Sequence, residues 1–222
     1  MLAGTGRVAD DLYLIAHHEV SGKSYLSPRA AGIALAGGLV AELLAAQTPA
    51  VAIDRGCIIA RYRKNGDPVA RYARPDDPVS GYVLDLIVAE CAPRPVRDWL
   101  LYLGKTAAAD VAGRLERAGY LTRLASRIPW RAGPLVPVEG DWSRCALLRA
   151  HAALDGSRTL TLHSALLTGL TVACGLGFRF ADLSKAPSRG AEEAAGALPR
   201  SLQELVARVQ VAADAAVLSA RT

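Results

Sequence analysis

The segment SPRAAGIALAGGLVAELLAAQ, residues 27–47, decides the fold. Ser27 followed by Pro28 marks a helix start. The serine oxygen can accept a first-turn N–H, and proline suits the first helical position, whose N–H has no partner inside the helix. Ile33, Leu35, Leu39, Val40, Leu43 and Leu44 then recur at helical spacing as far as Gln47. Ala34, Gly37, Gly38 and Ala41 are small, which predicts that another element packs closely on this helix.

On the N-terminal side, residues 11–16 read as a short helix that ends before a turn at Ser21-Gly22-Lys23. On the C-terminal side, Val51-Ala52-Ile53, a turn at Asp54-Arg55-Gly56 and residues 57–62 predict a hairpin. Loops at 65–68 and 74–78 lead to a helix over 82–91, which Pro93 and Pro95 end. Two linked helices, 96–102 and 105–118, close at Gly119 and run into a strand over 120–124. Residues 127–138 suit a further hairpin whose prolines must sit at edges or turns. The remainder predicts helices at 141–153, 159–174, near 190–197 and 201–220, the last capped by Ser201. The expected fold is therefore mainly α: a single compact helical domain over 1–222 with short β-hairpins and no internal boundary.

Half of the 222 residues are apolar, enough for a well-buried core. Residues 159–178 carry no formal charge and approach the length of a membrane span, but His163, Ser164 and several threonines and glycines make them read as a buried core helix. Arginine supplies nearly all the positive charge, a usage typical of a bacterial chain from a high-GC genome. Residues 1–10 lack the basic and then apolar design of a secretory signal, so the expected location is cytoplasmic. The four cysteines, Cys57, Cys91, Cys145 and Cys174, are far apart among small or apolar neighbours, and neither a zinc site nor a disulfide framework is expected.

The nucleophile elbow, Walker loop, zinc-helix motif and kinase set are missing from the sequence, which counts against the common enzyme classes. No cofactor is expected, since Gly175-Leu176-Gly177 is only a fragment of a dinucleotide fingerprint and follows a helix. His17-His18-Glu19 reads as a helix end, where histidine interacts well with the last carbonyls. Asp76-Asp77, between two prolines, reads as a solvated turn.

The net charge of +5 favours anionic partners, and its clustering beside aromatic residues says more than its sum. Arg61-Tyr62-Arg63-Lys64 is followed by Arg71 and Arg74, while Arg127 and Arg131 flank Ile128 and Trp130. Two readings fit the second cluster. Indole and guanidinium together suit a bilayer interface, or the tryptophan edges the core and the arginines serve solubility. Nucleic acid is not expected as a partner, because the helix after Lys105 opens with Thr106, Ala107, Ala108, Ala109 and Asp110 and offers little to phosphates or bases.

Four stretches in combination resemble the Golgi phosphoprotein 3 family, its bacterial members in particular. They are Asp11-Leu12-Tyr13-Leu14-Ile15-Ala16-His17 with Ser21-Gly22-Lys23; residues 35–44, LAGGLVAELL; residues 95–103, PVRDWLLYL; and residues 115–121, LERAGYL. The resemblance runs along essentially the whole chain. It implies a mainly helical domain whose eukaryotic relatives bind phosphatidylinositol 4-phosphate and insert an apolar hairpin into a membrane. The relatives' headgroup-pocket positions, a tryptophan and three arginines, fall by gapless matching on Ser27, Ala36, Lys105 and Ala108, so that Lys105 alone keeps a positive charge. Arg29 replaces part of the rest, and Arg127, Ile128, Trp130 and Arg131 fall where the family places its inserting hairpin. The implied function is peripheral binding to an anionic phospholipid headgroup, on the inner face of the cell membrane. The alternative is a pocket turned to a small-molecule ligand or to an enzyme of specialised metabolism, with Ser27, Tyr25, His17 and His18 around it.

Overall fold

The computed structural model describes residues 5–47, 49–61, 75–90, 92–126, 130, 132–154, 160–180 and 187–219. In chain order the elements are α1 (Val8–Ala16), α2 (Pro28–Ala45), β1 (Val51–Asp54), β2 (Cys57–Ala60), α3 (Pro78–Ala89), β3 (Arg94–Pro95), α4 (Val96–Leu103), α5 (Ala107–Arg117), β4 (Leu121–Arg123), β5 (Leu135–Pro137), α6 (Asp141–His151), α7 (Leu162–Ala173), α8 (Pro187–Gly196) and α9 (Arg200–Leu218). The fold is mainly α, as the sequence predicts.

Helix α2 is the axis of the molecule, touching α1, α3, α4, α5, α7 and α9. Its small residues explain how so many neighbours fit. A β-carbon on Gly38 would press into the backbone of Ala9 on α1, and one on Gly37 would press into Val209 on α9. Among the described residues α2 is the one helix long and apolar enough to cross a membrane by length and composition, yet 72% of it is buried inside the protein. Ile33, Leu35 and Leu39 of α2 are almost wholly buried, as are Leu12, Leu14, Ile15 and Leu100 of its neighbours. Each such side chain contributes roughly 1.5–3 kcal/mol of apolar burial. Helix α7 lies in the same core, with Leu166, Leu167 and Leu170 buried, in keeping with the interior reading of residues 159–178.

The strands form two small antiparallel sheets, ordered β1-β2-β3 and β4-β5. The predicted hairpin at 51–62 is present, with Val51 opposite Ala60 and Asp54 opposite Cys57. The expectation for 127–138 is corrected for β5, which pairs with β4, Leu121 opposite Pro137 and Arg123 opposite Leu135; residues 127–129 and 131 of the predicted hairpin lie outside the described residues. Pairing with the β4 edge also satisfies the amides of Leu124 and Val138, which donate to Pro134 and Tyr120 at 3.0 Å each.

Helix α3 starts earlier than predicted. Asp77 is buried and caps it, its carboxylate accepting the Ser80 N–H at 2.8 Å, with Pro78 in the first helical position. The solvated-turn reading of Asp76-Asp77 therefore fails for Asp77.

Candidate functional site

The hollow between Arg29 and Lys105 is built by two helix ends. Ser27 caps α2, its Oγ accepting the Ala30 N–H at 3.3 Å, and Arg29 projects from the exposed first turn, which holds no acidic residue. Helix α4 stops at Leu103, and Gly104 crosses Gly32 so closely that a β-carbon on Gly32 would collide with the Gly104 carbonyl. That crossing sets Lys105, in the turn before α5, beside the start of α2. The resulting hollow of about 430 Å³ is lined by Pro28, Arg29, Ile33, Leu101, Gly104 and Lys105. A smaller one of about 240 Å³ shares Lys105 and lies against Tyr82, Tyr102 and Asp110.

Neither cation is neutralised. Arg29 donates to the Ser219 Oγ at 3.3 Å, and the Lys105 Nζ sits 5.9 Å from the centroid of the Tyr102 ring. Among the described residues neither has a carboxylate partner. Two free cations beside an acid-free helix N-terminus form a site suited to an anion, since the helix dipole adds to their field.

The sequence-predicted residues divide as follows. Arg29 and Lys105 meet in the hollow. Ser27 is spent on the cap and does not line it. Ala36 is wholly buried in α2 and Ala108 is half-buried on α5, so the four matched positions do not converge on one exposed pocket. Arg127, Ile128 and Arg131 lie outside the described residues. Trp130 is 89% exposed, which excludes the reading of a tryptophan at the edge of the core.

His17 is the helix end it was read to be. It follows α1, its Nδ1 lies 2.8 Å from the Tyr13 carbonyl, and its ring stacks on Tyr13 at 3.9 Å. Burial lowers its pKa, outweighing the opposing effect of that hydrogen bond. Among the described residues no group of three or more possible ligands could hold a metal.

Sequence reasoning missed the buried charge cluster opposite. Arg114, on α5, reaches Asp10 on α1 (Nε to Oδ1, 2.8 Å), the Asp77 cap (2.6 Å), and Glu42 and Ser80 (3.4 Å each). Burial pushes the Asp10 carboxyl up to about 6 in spite of the neighbouring Arg114. For Asp77 burial also acts upward, but the Ser80 N–H and Arg114 outweigh it and hold the carboxyl below its ordinary value. Arg114 is raised: burial would lower it, but Glu42, Asp10 and Asp77 together prevail. Three carboxylates thus share one guanidinium, and Asp10 holds its proton to higher pH than Asp77. The adjacent Asp11 points elsewhere, to Arg149 on α6 (2.9 Å) and His163 on α7 (2.9 Å). Above the cluster lies a second hollow of about 430 Å³, mostly apolar, where Arg7, Glu42, Ser80 and His163 supply the polar groups.

The architecture defines a mainly helical protein with an anion-suited hollow at one end of its central helix. The family model described as Golgi phosphoprotein 3 (GPP34) matches residues 8–219, and the chain belongs to that family. No curated protein matches the sequence.

Proposed function

We propose that this protein is a peripheral membrane protein that takes an anionic phospholipid headgroup between Arg29 and Lys105 and anchors through Trp130. The observation that carries the reading is that two cations with no carboxylate partner among the described residues line one hollow. Family membership supports a phosphoinositide-type headgroup, and an indole that is 89% exposed supports an interface anchor. In a cell the site of action is the cytoplasmic face of a membrane.

Each basic residue near an anionic surface contributes roughly 1 kcal/mol, so Arg29→Ala with Lys105→Ala should weaken binding about thirtyfold. The test is co-sedimentation with phosphatidylcholine vesicles carrying phosphatidylserine or a phosphoinositide, at two salt concentrations. Binding should fall with salt. Wild-type binding by the double variant would remove the site.

A second reading rests on the apolar hollow beside Glu42 and His163, whose few convergent polar groups are typical of small-molecule pockets. Thermal stabilisation by a metabolite, abolished by Leu166→Trp in that hollow, would favour it over the membrane reading. Ser27, Tyr25, His17 and His18, the residues expected around a small ligand, do not line it.

A further inference from the structure

We propose that Arg179, Tyr25 and His18 form a second phospholipid headgroup site, beside which Phe178 enters the bilayer interface. The proposal rests on the membrane reading and gives it an orientation: the N-terminal end of α2 faces the lipid.

Arg179 is a guanidinium short of partners. It lies 4.8 Å from the centroid of the Tyr25 ring, and its Nη1 donates to the Tyr25 hydroxyl at 3.1 Å. Its Nε is buried without a hydrogen bond, and among the described residues no carboxylate pairs with it. A partly buried charge with unmet donors is costly unless an anion arrives from outside.

His18 flanks the same ring, its centroid 6.2 Å from that of Tyr25. Its Nδ1 accepts the N–H groups of Val20 (3.2 Å) and Ser21 (3.3 Å). With Nδ1 accepting, Nε2 is the ring nitrogen left to donate, on an exposed ring. Arginine and histidine thus both offer N–H donors beside one tyrosine.

The apolar partner of this site is fixed by a short turn. Residues Gly177–Phe180 form one 3-10 turn in which Phe180 is wholly buried, so Phe178 is left 56% exposed, edge-on to Tyr25 at 5.7 Å. An exposed phenylalanine beside an unpaired arginine is the pairing that an anionic bilayer interface satisfies at once, tail region and headgroup together.

The patch is continuous with the other proposed contacts. Gly22, with φ of +65°, packs so tightly on Pro134 and Leu135 that no β-carbon fits, which joins the turn carrying Val20 to the base of the β4-β5 connection. Val20 is 71% exposed there. Tyr25 stands just before the Ser27 cap that positions Arg29. Lys23, Arg29, Lys105 and Arg179, set against Glu19 and the Asp110 that shares a hollow with Lys105, give this end a positive balance that complements an anionic membrane.

The experiment uses the full chain and vesicles of phosphatidylcholine and phosphatidylserine with brominated acyl chains, which quench indole at close range. Trp130 reports the docking reading as the difference in quenching between wild type and Trp130→Phe, because Trp99 and Trp142 also emit. In the Phe178→Trp protein, with Trp130 kept as the anchor, quenching should exceed that of wild type by the share of the introduced indole, and inorganic phosphate without vesicles should leave the emission unchanged. Arg179→Gln should weaken vesicle binding about fivefold while the thermal midpoint holds. An introduced indole that escapes quenching, or unchanged binding in Arg179→Gln, overturns this site while leaving a quenched Trp130 and its reading intact. Failure of the wild-type protein to bind overturns both.

Discussion

Replacing Arg114 with methionine keeps an unbranched apolar stem and removes the guanidinium that Asp10, Glu42 and Asp77 share. Asp10 and Asp77 are 3% and 4% exposed, so neither can turn to water for compensation. Arg7, at 3.8 Å from Asp77, is the cation left nearby. Removing one partner of a buried ion pair costs about 3–5 kcal/mol. With three carboxylates orphaned the loss should lie toward the upper figure, a large part of a typical domain stability of about 5–15 kcal/mol. The loss must also depend on pH, because a stranded carboxylate can escape its penalty by taking a proton. Urea denaturation followed by far-ultraviolet circular dichroism at about pH 5 and pH 8 measures both effects, and the deficit should shrink at the acid end. Arg114→Lys should fall between wild type and methionine, since it keeps the charge without the planar fork. A methionine variant within about 1 kcal/mol of wild type at both pH values would refute the reasoning.

Further outcomes follow from single sites. The Asp10 carboxyl, raised from 3.8 to about 6, contributes stability that is full below its unfolded value and lost as pH rises through about 6. Asp10→Asn should abolish that decline, worth roughly 2 kcal/mol between pH 4 and 7 in denaturation curves. Asp77 acts in the opposite sense, its stabilisation being present above the ordinary carboxylate range and lost on stronger acidification, so Asp77→Asn should flatten the acid limb instead. Gly32→Ala forces a methyl against the Gly104 carbonyl; a destabilisation of about 1–3 kcal/mol should accompany weaker vesicle binding, as Arg29 and Lys105 are moved apart. Trp130→Ala should leave the melting temperature nearly unchanged, because the indole is exposed, and reduce only membrane binding.

The helical frame was legible wherever a cap preceded an apolar period, as at Ser27-Pro28. Asp77-Pro78 carries the same signal, but with Pro75 close before it the stretch reads as a loop, and the cap is lost in the proline count. Glu42 held a clue to the buried cluster: a lone charge inside Leu39-Val40-Ala41-Glu42-Leu43-Leu44 needs a partner within the core. Which partner it has was not legible, because Arg114 lies 72 positions away and only the crossing of α2 and α5 brings the two together. The same holds for the hollow. Arg29 and Lys105 stand out as charges in the sequence, but their meeting depends on two glycines, Gly32 and Gly104, that carry no chemistry of their own.

The separation of the ionic partners along the chain also sets a schedule for biosynthesis. Asp77 is made 37 residues before Arg114, and Asp11 is made 138 residues before Arg149. At about 5–20 residues per second, the first wait lasts a few seconds and the second roughly 7–28 seconds. During that time the nascent N-terminal helices hold acidic groups that cannot enter a dry interior. Docking of α1 against α2 must therefore trail translation, and ribosome-bound chains halted short of Arg114 should stay open to protease.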